Sequence, residues 1–175
     1  MQLPTPAPSF DDPLAMLRAC HGRIQAQCAT LRKLQAHLPA HGCDTQAQQA
    51  AQAVLRYFDT AGQHHHEDEE HDLFPRLRAT GNAEAAALLD RLLTEHETMT
   101  AAWQGLRPQL LALTEARAAT LDAEITEDFI AAYASHIATE NSTLLPLAAQ
   151  LLSPADLAAI GVNMAKRRGV TLSPS

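Results

Sequence analysis

Apolar residues recur along this chain at alternating spacings of three and four, the period of a helix that packs against other helices. Four segments show this pattern, and capping residues, proline or glycine bound them. The pattern predicts four long helices, over roughly residues 13–39, 45–79, 82–115 and 121–152. A fifth, short helix is expected to begin at Ser153 and Pro154 and to end near the basic residues 166–168.

Short links between long helices predict an all-α fold, an antiparallel up-down four-helix bundle over residues 11–152. Composition agrees, because alanine and leucine are frequent, only 4% of residues are aromatic and alternating β-branched runs are missing from the sequence. Residues 1–10 contain three prolines and are expected to form a flexible N-terminal segment. Residues 153–175 should form the short C-terminal helix and a tail, with the helix covering one end of the bundle.

The second and fourth predicted helices contain related sequences, QHHHEDEEHDLFP at 63–75 and HIATENSTLLP at 136–146. A single offset of 71 residues relates them. Self-similarity at a fixed offset indicates two related halves. The matched pairs are Phe58 with Phe129, His65 with His136, Glu69 with Glu140, and Pro75 with Pro146.

A histidine and a glutamate four residues apart project from the same side of a helix and can bind one metal ion together. Two such pairs overlap in the second helix. The pair of His66 and Glu70 corresponds to Ile137 and Asn141 in the fourth helix, so it has no counterpart there. The repeat therefore selects the other pair, which begins at His65.

One histidine interrupts the apolar stripe of each predicted bundle helix. On its own, such a histidine is more often a hydrogen-bonded core residue than a ligand. Two of the four are followed one turn later by a glutamate, and an unpaired buried carboxylate costs several kcal/mol, so a metal is the simplest compensation. The candidate metal ligands are His21, His65, Glu69, His96, His136 and Glu140.

Six donors are too many for one tetrahedral zinc ion and suit two metal ions with both glutamates bridging. Imidazole together with carboxylate favours iron, with manganese or zinc as possible substitutes. The expected cofactor is therefore two iron ions, bridged also by oxide or hydroxide. An open position on such a centre can bind O₂, NO or peroxide.

Charge and hydropathy limit the other functions. The net charge of −7 provides no basic surface for nucleic acid or anionic lipid, and no apolar run approaches the roughly 20 residues of a membrane span. The N-terminus lacks the pattern of a signal peptide, so a cytoplasmic location is expected. The three cysteines have no CxxC spacing and are expected to be reduced thiols.

The HxxxE…LFP and HxxxE…LLP elements resemble the hemerythrin-like family, also called HHE cation-binding domains, from about Leu14 to the end of the fourth helix. The resemblance implies that the six candidates ligate a carboxylate-bridged non-haem di-iron centre. Oxygen-carrying hemerythrins have a second histidine one turn after the first on the third helix, where this chain has Thr100. The centre is more similar to that of the iron-sulfur cluster repair family, although the cysteine-bearing N-terminal domain of that family is missing.

Further residues are candidates for roles beside the metal ions. Tyr133 either packs in the core, or hydrogen-bonds a metal-bound ligand or reduces a bound peroxide. Thr100, which replaces the second histidine of oxygen-carrying hemerythrins, is a candidate beside the metal ions. His66 is either part of a solvated flank or a relay or auxiliary ligand. The other members of the expected solvated surface are His64, Glu67, Asp68, Glu70, His71, Glu95 and Glu97.

Three functions follow from this centre. The first is binding or sensing of a small diatomic ligand, O₂ or NO. The second is an enzyme of oxidative or nitrosative stress that acts as a peroxidase, reduces NO or donates iron for cluster repair. The third is a metal reservoir or an interaction bundle in which the ions are structural. A separate protein partner fits any of the three.

Overall fold

Capping side chains and glycine define the helix ends in the computed structural model, which describes residues 9–171. The carboxylate of Asp12 accepts a hydrogen bond from the backbone of Ala15, and Pro13 opens the first helix. Gly42 ends that helix in a left-handed conformation with φ of 65°, which glycine adopts without steric cost. Ser153 caps the last helix through a capping box with Asp156.

The described residues contain helices and no strand, which confirms the all-α prediction. Labels run in chain order, with two π-helical turns named separately. The elements are α1 Pro13–His41, α2 Thr45–Phe58, α3 Ala61–Asp68, the first π turn Glu69–Leu73, α4 Phe74–Ala79, α5 Ala83–Thr114, α6 Ala123–Thr139, the second π turn Glu140–Leu144, α7 Leu145–Leu151, and α8 Pro154–Arg167. The second bundle helix is thus α2 to α4, and the fourth is α6 to α7.

The main departures from the predicted helices concern continuity. The second bundle helix is interrupted at Asp59 and Thr60 and again at its π turn, and the fourth is interrupted at its π turn. Pro39 does not end α1, because in the last turn of the helix it removes only one backbone hydrogen bond. Pro108 also lies inside a helix, but here the continuation of α5 to Thr114 agrees with the predicted span of 82–115.

The four bundle helices form a ring in which α1 contacts α2, α2 contacts α5, α5 contacts α6, and α6 contacts α1. Leu17 from the start of the first helix packs in one cluster with Leu77 from the end of the second, Leu89 from the start of the third and Leu145 from the end of the fourth. Starts and ends can meet in this way only if neighbouring helices run in opposite directions. The bundle is therefore antiparallel, as predicted.

A buried polar layer separates two hydrophobic clusters. Leu17 and Leu92 belong to one cluster, whereas Ile24 and Met99 belong to the other. His21 lies between Leu17 and Ile24 along α1, as a histidine does between Leu92 and Met99 along α5. The core therefore contains one polar level between two apolar halves.

Helix α8 packs against α1 and the second bundle helix, as expected for a covering helix. Its Ile160 and Met164 are completely buried in the cluster of Leu17. Gly161 contacts the backbone of Phe10 so closely that an added Cβ would lie 1.9 Å from the Phe10 carbonyl oxygen. Most of the predicted N-terminal segment, and the last four residues of the predicted tail, lie outside the described residues.

No helix within residues 9–171 is both long and apolar enough to cross a lipid bilayer.

Candidate metal centre

Each HxxxE pair ends at the start of a π turn. The N–H of Phe74 donates to the carbonyl of Glu69, five residues earlier, and Leu145 donates in the same way to Glu140. The next residue in each case is a proline, which cannot donate a backbone hydrogen bond and clashes with the carbonyl four residues before it. A π turn accommodates one extra residue and is a frequent feature of functional sites. The prolines thus explain why both copies of the motif widen immediately after the glutamate.

All six predicted ligands are buried and meet at the polar level of the core. They fall into two groups, and within each group the donor atoms lie within 4.8 Å of one another. Both groups contain both glutamates, while the histidines divide between them. The first group is His21, His65, Glu69 and Glu140, and the second is Glu69, His96, His136 and Glu140.

The two carboxylates lie between the groups. Oε2 of Glu140 lies 3.0 Å from Nε2 of His21, and Oε1 lies 3.0 Å from Nε2 of His136. Oε1 of Glu69 lies 3.5 Å from Nε2 of His65, and Oε2 lies 3.3 Å from Nε2 of His96. Each glutamate therefore directs one oxygen to each group, the arrangement required of a bridging carboxylate.

Six of the inner atoms are close together without being hydrogen-bonded. Neither oxygen of Glu69 or Glu140 has a hydrogen-bond partner, and the same holds for Nε2 of His21 and His65. Buried polar atoms are nearly always paired, since an unpaired one costs about 1–3 kcal/mol, and more when charged. Lone pairs that converge on a shared space are what a bound cation requires. The donor set therefore fits a metal pair.

The second group has an additional requirement for positive charge. Nδ1 of His96 lies 2.6 Å from Glu70 and Nδ1 of His136 lies 2.8 Å from Glu95, so each ring carries its proton on Nδ1. In neutral rings both Nε2 atoms then carry only lone pairs, yet these atoms lie 3.0 Å apart. Two lone pairs at that distance repel each other unless a proton or a metal ion binds there.

The glutamates favour positive charge at His21 and His96, whereas at His65 burial outweighs them and lowers the pKa of the ring. Burial disfavours a charged His21, but contacts with Glu140 and Glu69 outweigh it and raise its pKa to about 10. Burial is likewise outweighed by Glu69 and Glu70 at His96, whose pKa rises to about 9. Burial would raise the pKa of Glu69, but the neighbouring imidazoles hold it well below its usual value. Glu69 is therefore an anion, the form that binds a cation.

His66 lies beside the second group rather than in it. Its ring stacks on His96 with 4.0 Å between the centroids, and its Nε2 is buried without a partner. Together with Glu70 and His96 it forms a third small group of possible donors. Burial lowers the pKa of His66 well below its usual value, so the ring is neutral.

Two cavities adjoin this side of the centre. A cavity of about 90 Å³ is lined by His66, Thr100 and Tyr133 together with apolar side chains. A more open one of about 460 Å³ is lined by Glu70, His96 and Thr100. Thr100 is exposed and lies in the wall of both cavities. Tyr133 is 5% exposed, and its burial raises its pKa, so its hydroxyl keeps its proton.

Sequence reasoning missed three residues that orient the imidazoles. Glu95 was expected at the surface but is half-buried against His136, and Glu70 was assigned to the solvated flank but accepts from His96. Asn141 accepts a hydrogen bond from Nδ1 of His21 at 2.8 Å. The repeat already contained a signal, because Glu70 and Asn141 are equivalent positions. Both can accept a hydrogen bond although only one is charged.

The prediction of a solvated flank is also wrong for Asp68, which is completely buried. Arg167 and Arg168 of the C-terminal segment both bind its carboxylate. Arg167 and Asn163 also bind the buried carboxylate of Asp72. Of the rest of the flank, His71 and Glu97 are exposed as expected.

Comparison with known proteins agrees with the motifs. The model of the hemerythrin HHE cation-binding domain matches residues 12–148. An uncharacterized protein of Haemophilus influenzae is 32% identical over 162 residues, which is 93% of this chain and 93% of that protein.

Proposed function

From the premise that this chain belongs to the hemerythrin HHE cation-binding family, we propose that it is a non-haem di-iron protein that binds or senses a small diatomic ligand, O₂ or NO. Its metal-binding fold and its buried group of histidines and glutamates agree with the family. The identity of the metal, the bridging of two ions and the ligand are what we propose beyond the family.

The observation that carries the proposal is the sharing of Glu69 and Glu140 between two histidine pairs. Each pair, with one oxygen from each carboxylate, offers four protein donors to one ion. Four donors leave iron, which takes up to six ligands, with positions for a bridging oxide or hydroxide and for a small ligand. Imidazole and carboxylate donors suit iron, and manganese or zinc are the possible substitutes.

Negative charge at the centre supports bound cations. Glu69 and Glu140 lie within the centre, and Glu70 and Glu95 bind its imidazoles directly. Arg91 shares the charge of Glu95, whereas the other three carboxylates make no ion pair with arginine or lysine among the described residues. The buried acidic residues that do not face the centre, such as Asp68, are paired with arginine instead.

The cavity beside the second group supports a small ligand. Its volume of about 90 Å³ has room for a small molecule such as O₂ or NO. The side chains of Met99, Trp103 and Phe58 form its apolar wall, while polar atoms come from Gln63, His66, Thr100 and Tyr133. When bound, a di-iron pair would supply the open position at which O₂ or NO binds.

The test is anaerobic loading of the metal-free protein with iron(II), followed by absorption spectra under O₂, NO and argon. An absorption band that forms with O₂ or NO and bleaches under argon is the expected result. Absorption spectra unchanged by either gas would contradict the proposal and favour a metal reservoir. Elemental analysis of the purified protein before loading checks for iron against manganese and zinc.

Tyr133 favours a second candidate, an enzyme of oxidative or nitrosative stress. It is buried, lines the small cavity, and its ring lies 5.9 Å from that of His66. A protonated phenol there can donate a proton or an electron to a bound small molecule. The matched variant is Tyr133→Phe, which keeps the ring. Peroxide turnover in the wild type that Tyr133→Phe loses, with iron content unchanged, would favour the enzyme over the binding protein.

A further inference from the structure

We propose that the two metal positions are unequal, and that the position built by His96 and His136 binds a divalent cation before the position built by His21 and His65. This inference rests on the proposed pair of metal ions. It concerns the order in which the two positions fill, which the six inner donors alone do not determine.

Both imidazoles of the second position bind an anion. Nδ1 of His96 donates to Oε1 of Glu70 at 2.6 Å, and Nδ1 of His136 donates to Oε2 of Glu95 at 2.8 Å. A carboxylate on the outer nitrogen fixes the ring and its tautomer and makes the inner nitrogen a stronger donor to a metal. Both effects raise the affinity for a cation.

The imidazoles of the first position have no such partner. Nδ1 of His21 donates to Oδ1 of Asn141 at 2.8 Å, and an amide oxygen is neutral. Nδ1 of His65 is buried without any hydrogen-bond partner. One ring is therefore oriented without added charge, and the other is not oriented by hydrogen bonding.

The internal repeat shows that the difference lies at equivalent places. The 71-residue offset that relates the two HxxxE motifs equates Glu70 with Asn141. The first and third helices match at an offset of 75 residues, which equates Glu95 with Cys20. At both outer positions the acidic residue occurs only beside the second metal position. A thiol is a weak acceptor, which agrees with the unpartnered Nδ1 of His65.

Neighbouring charges do not remove the asymmetry. Arg91 lies 2.9 Å from Glu95 and shares its charge, but Glu70 makes no ion pair with arginine or lysine among the described residues. Near the first position, the buried Asp68 is paired with Arg167 and Arg168. The second metal position therefore has more negative charge nearby than the first, by at least the charge of Glu70.

The test uses cobalt(II), which is stable in air and scatters X-rays anomalously at its own absorption edge. Metal-free full-length protein receives one equivalent of cobalt(II) and is crystallised. Anomalous density is expected at His96 and His136, with little at His21 and His65. The filling order is read from where the first cobalt ion binds, and not from the number of binding steps in a titration. A first ion weakens binding of the second by repulsion even when the two positions are identical.

Exchange of the outer partners provides the matched variants. Glu70→Gln and Glu95→Gln keep an acceptor and remove the charge, and each should lower affinity for the first cobalt ion about 10-fold to 100-fold in calorimetric titration. Asn141→Asp adds a charge beside His21 and should raise affinity at the first position. The triple variant that combines Glu70→Gln, Glu95→Gln and Asn141→Asp should bind one equivalent of cobalt at His21 and His65 instead. The control variant Glu70→Asp keeps the charge and should therefore fill the two metal positions in the same order as the wild type.

The outcomes separate this inference from the di-iron proposal. Density at His21 and His65 in the wild type, or equal density at both positions, would overturn the filling order and leave the metal pair intact. Binding of no cobalt or iron at the six donors would overturn the proposed function itself. Circular dichroism spectra of the metal-free variants that match the wild type show that the variants keep the fold, so the changes in binding reflect the metal positions.

Discussion

Asp68 is completely buried against Arg168, which lies 100 residues further along the chain, with 2.6 Å between Oδ2 and Nη2. The carboxylate is one residue before Glu69 but faces the C-terminal segment instead of the metal centre. Arg167 binds the same carboxylate from the end of α8. The pair thus connects the covering helix to the element that carries a bridging glutamate.

The variant Arg168→Ala should lower the free energy of unfolding by about 2 kcal/mol, because it removes one partner of a buried charge. The loss should be smaller than is usual for such a pair, since Arg167 remains in contact. Urea unfolding measures it. Lys166→Ala is the control, because Lys166 is exposed and makes no ion pair among the described residues. An equal effect of both variants would refute the role of the buried pair.

Replacement of either bridging glutamate should reduce metal binding more than any change on the flank. Glu69→Ala and Glu140→Ala each remove one donor from both groups, so bound iron should fall from two ions to one or none per chain. Elemental analysis after anaerobic loading measures this. His64→Ala is the control, because His64 belongs to neither group and should leave the iron content unchanged. The same iron loss in all three variants would contradict the assignment of His65 with Glu69.

Removal of the metal should destabilise the fold. The bound ions stabilise only the folded chain, and at free metal of about a thousand times the dissociation constant this contributes about 4 kcal/mol. For a chain of this size that corresponds to a melting temperature lower by about 10 °C. Calorimetry with and without a chelator tests the prediction. An unchanged melting temperature after the metal is shown to be gone would mean that the ions do not stabilise the bundle.

The variant Gly161→Ala should displace the segment that ends at Phe10. The added methyl group would lie 1.9 Å from a backbone oxygen, so either the segment or α8 must move. We expect a loss of about 2 kcal/mol in urea unfolding, the usual cost of overpacking. Gly22→Ala is the control, because an added Cβ there meets nothing within 4 Å. In that exposed helix interior alanine should stabilise by about 1 kcal/mol. Stabilisation by both changes would disprove the close contact.

The sequence by itself determined the helical class, the number of bundle helices and the six candidate donors. Periodicity depends on local helix geometry, so an apolar stripe with one histidine in it can be read without knowledge of the neighbouring helix. The 71-residue repeat then distinguished His65 from His66. Continuity was harder to predict. Pro75 follows a π turn that the predicted helix over 45–79 did not contain, whereas α5 continues through Pro108 as predicted, although both prolines lack the same backbone donor.

Only the tertiary structure decided which donors belong together. The pairing of His21 with His65 and of His96 with His136 depends on which helices are neighbours and at what height they pack. The outer partners Glu70, Glu95 and Asn141, and the arginines that bury Asp68, come from other helices far away in the chain. The spacing of residues within one helix carries no information about such contacts, since each contact depends on how two helices that are distant in sequence pack together.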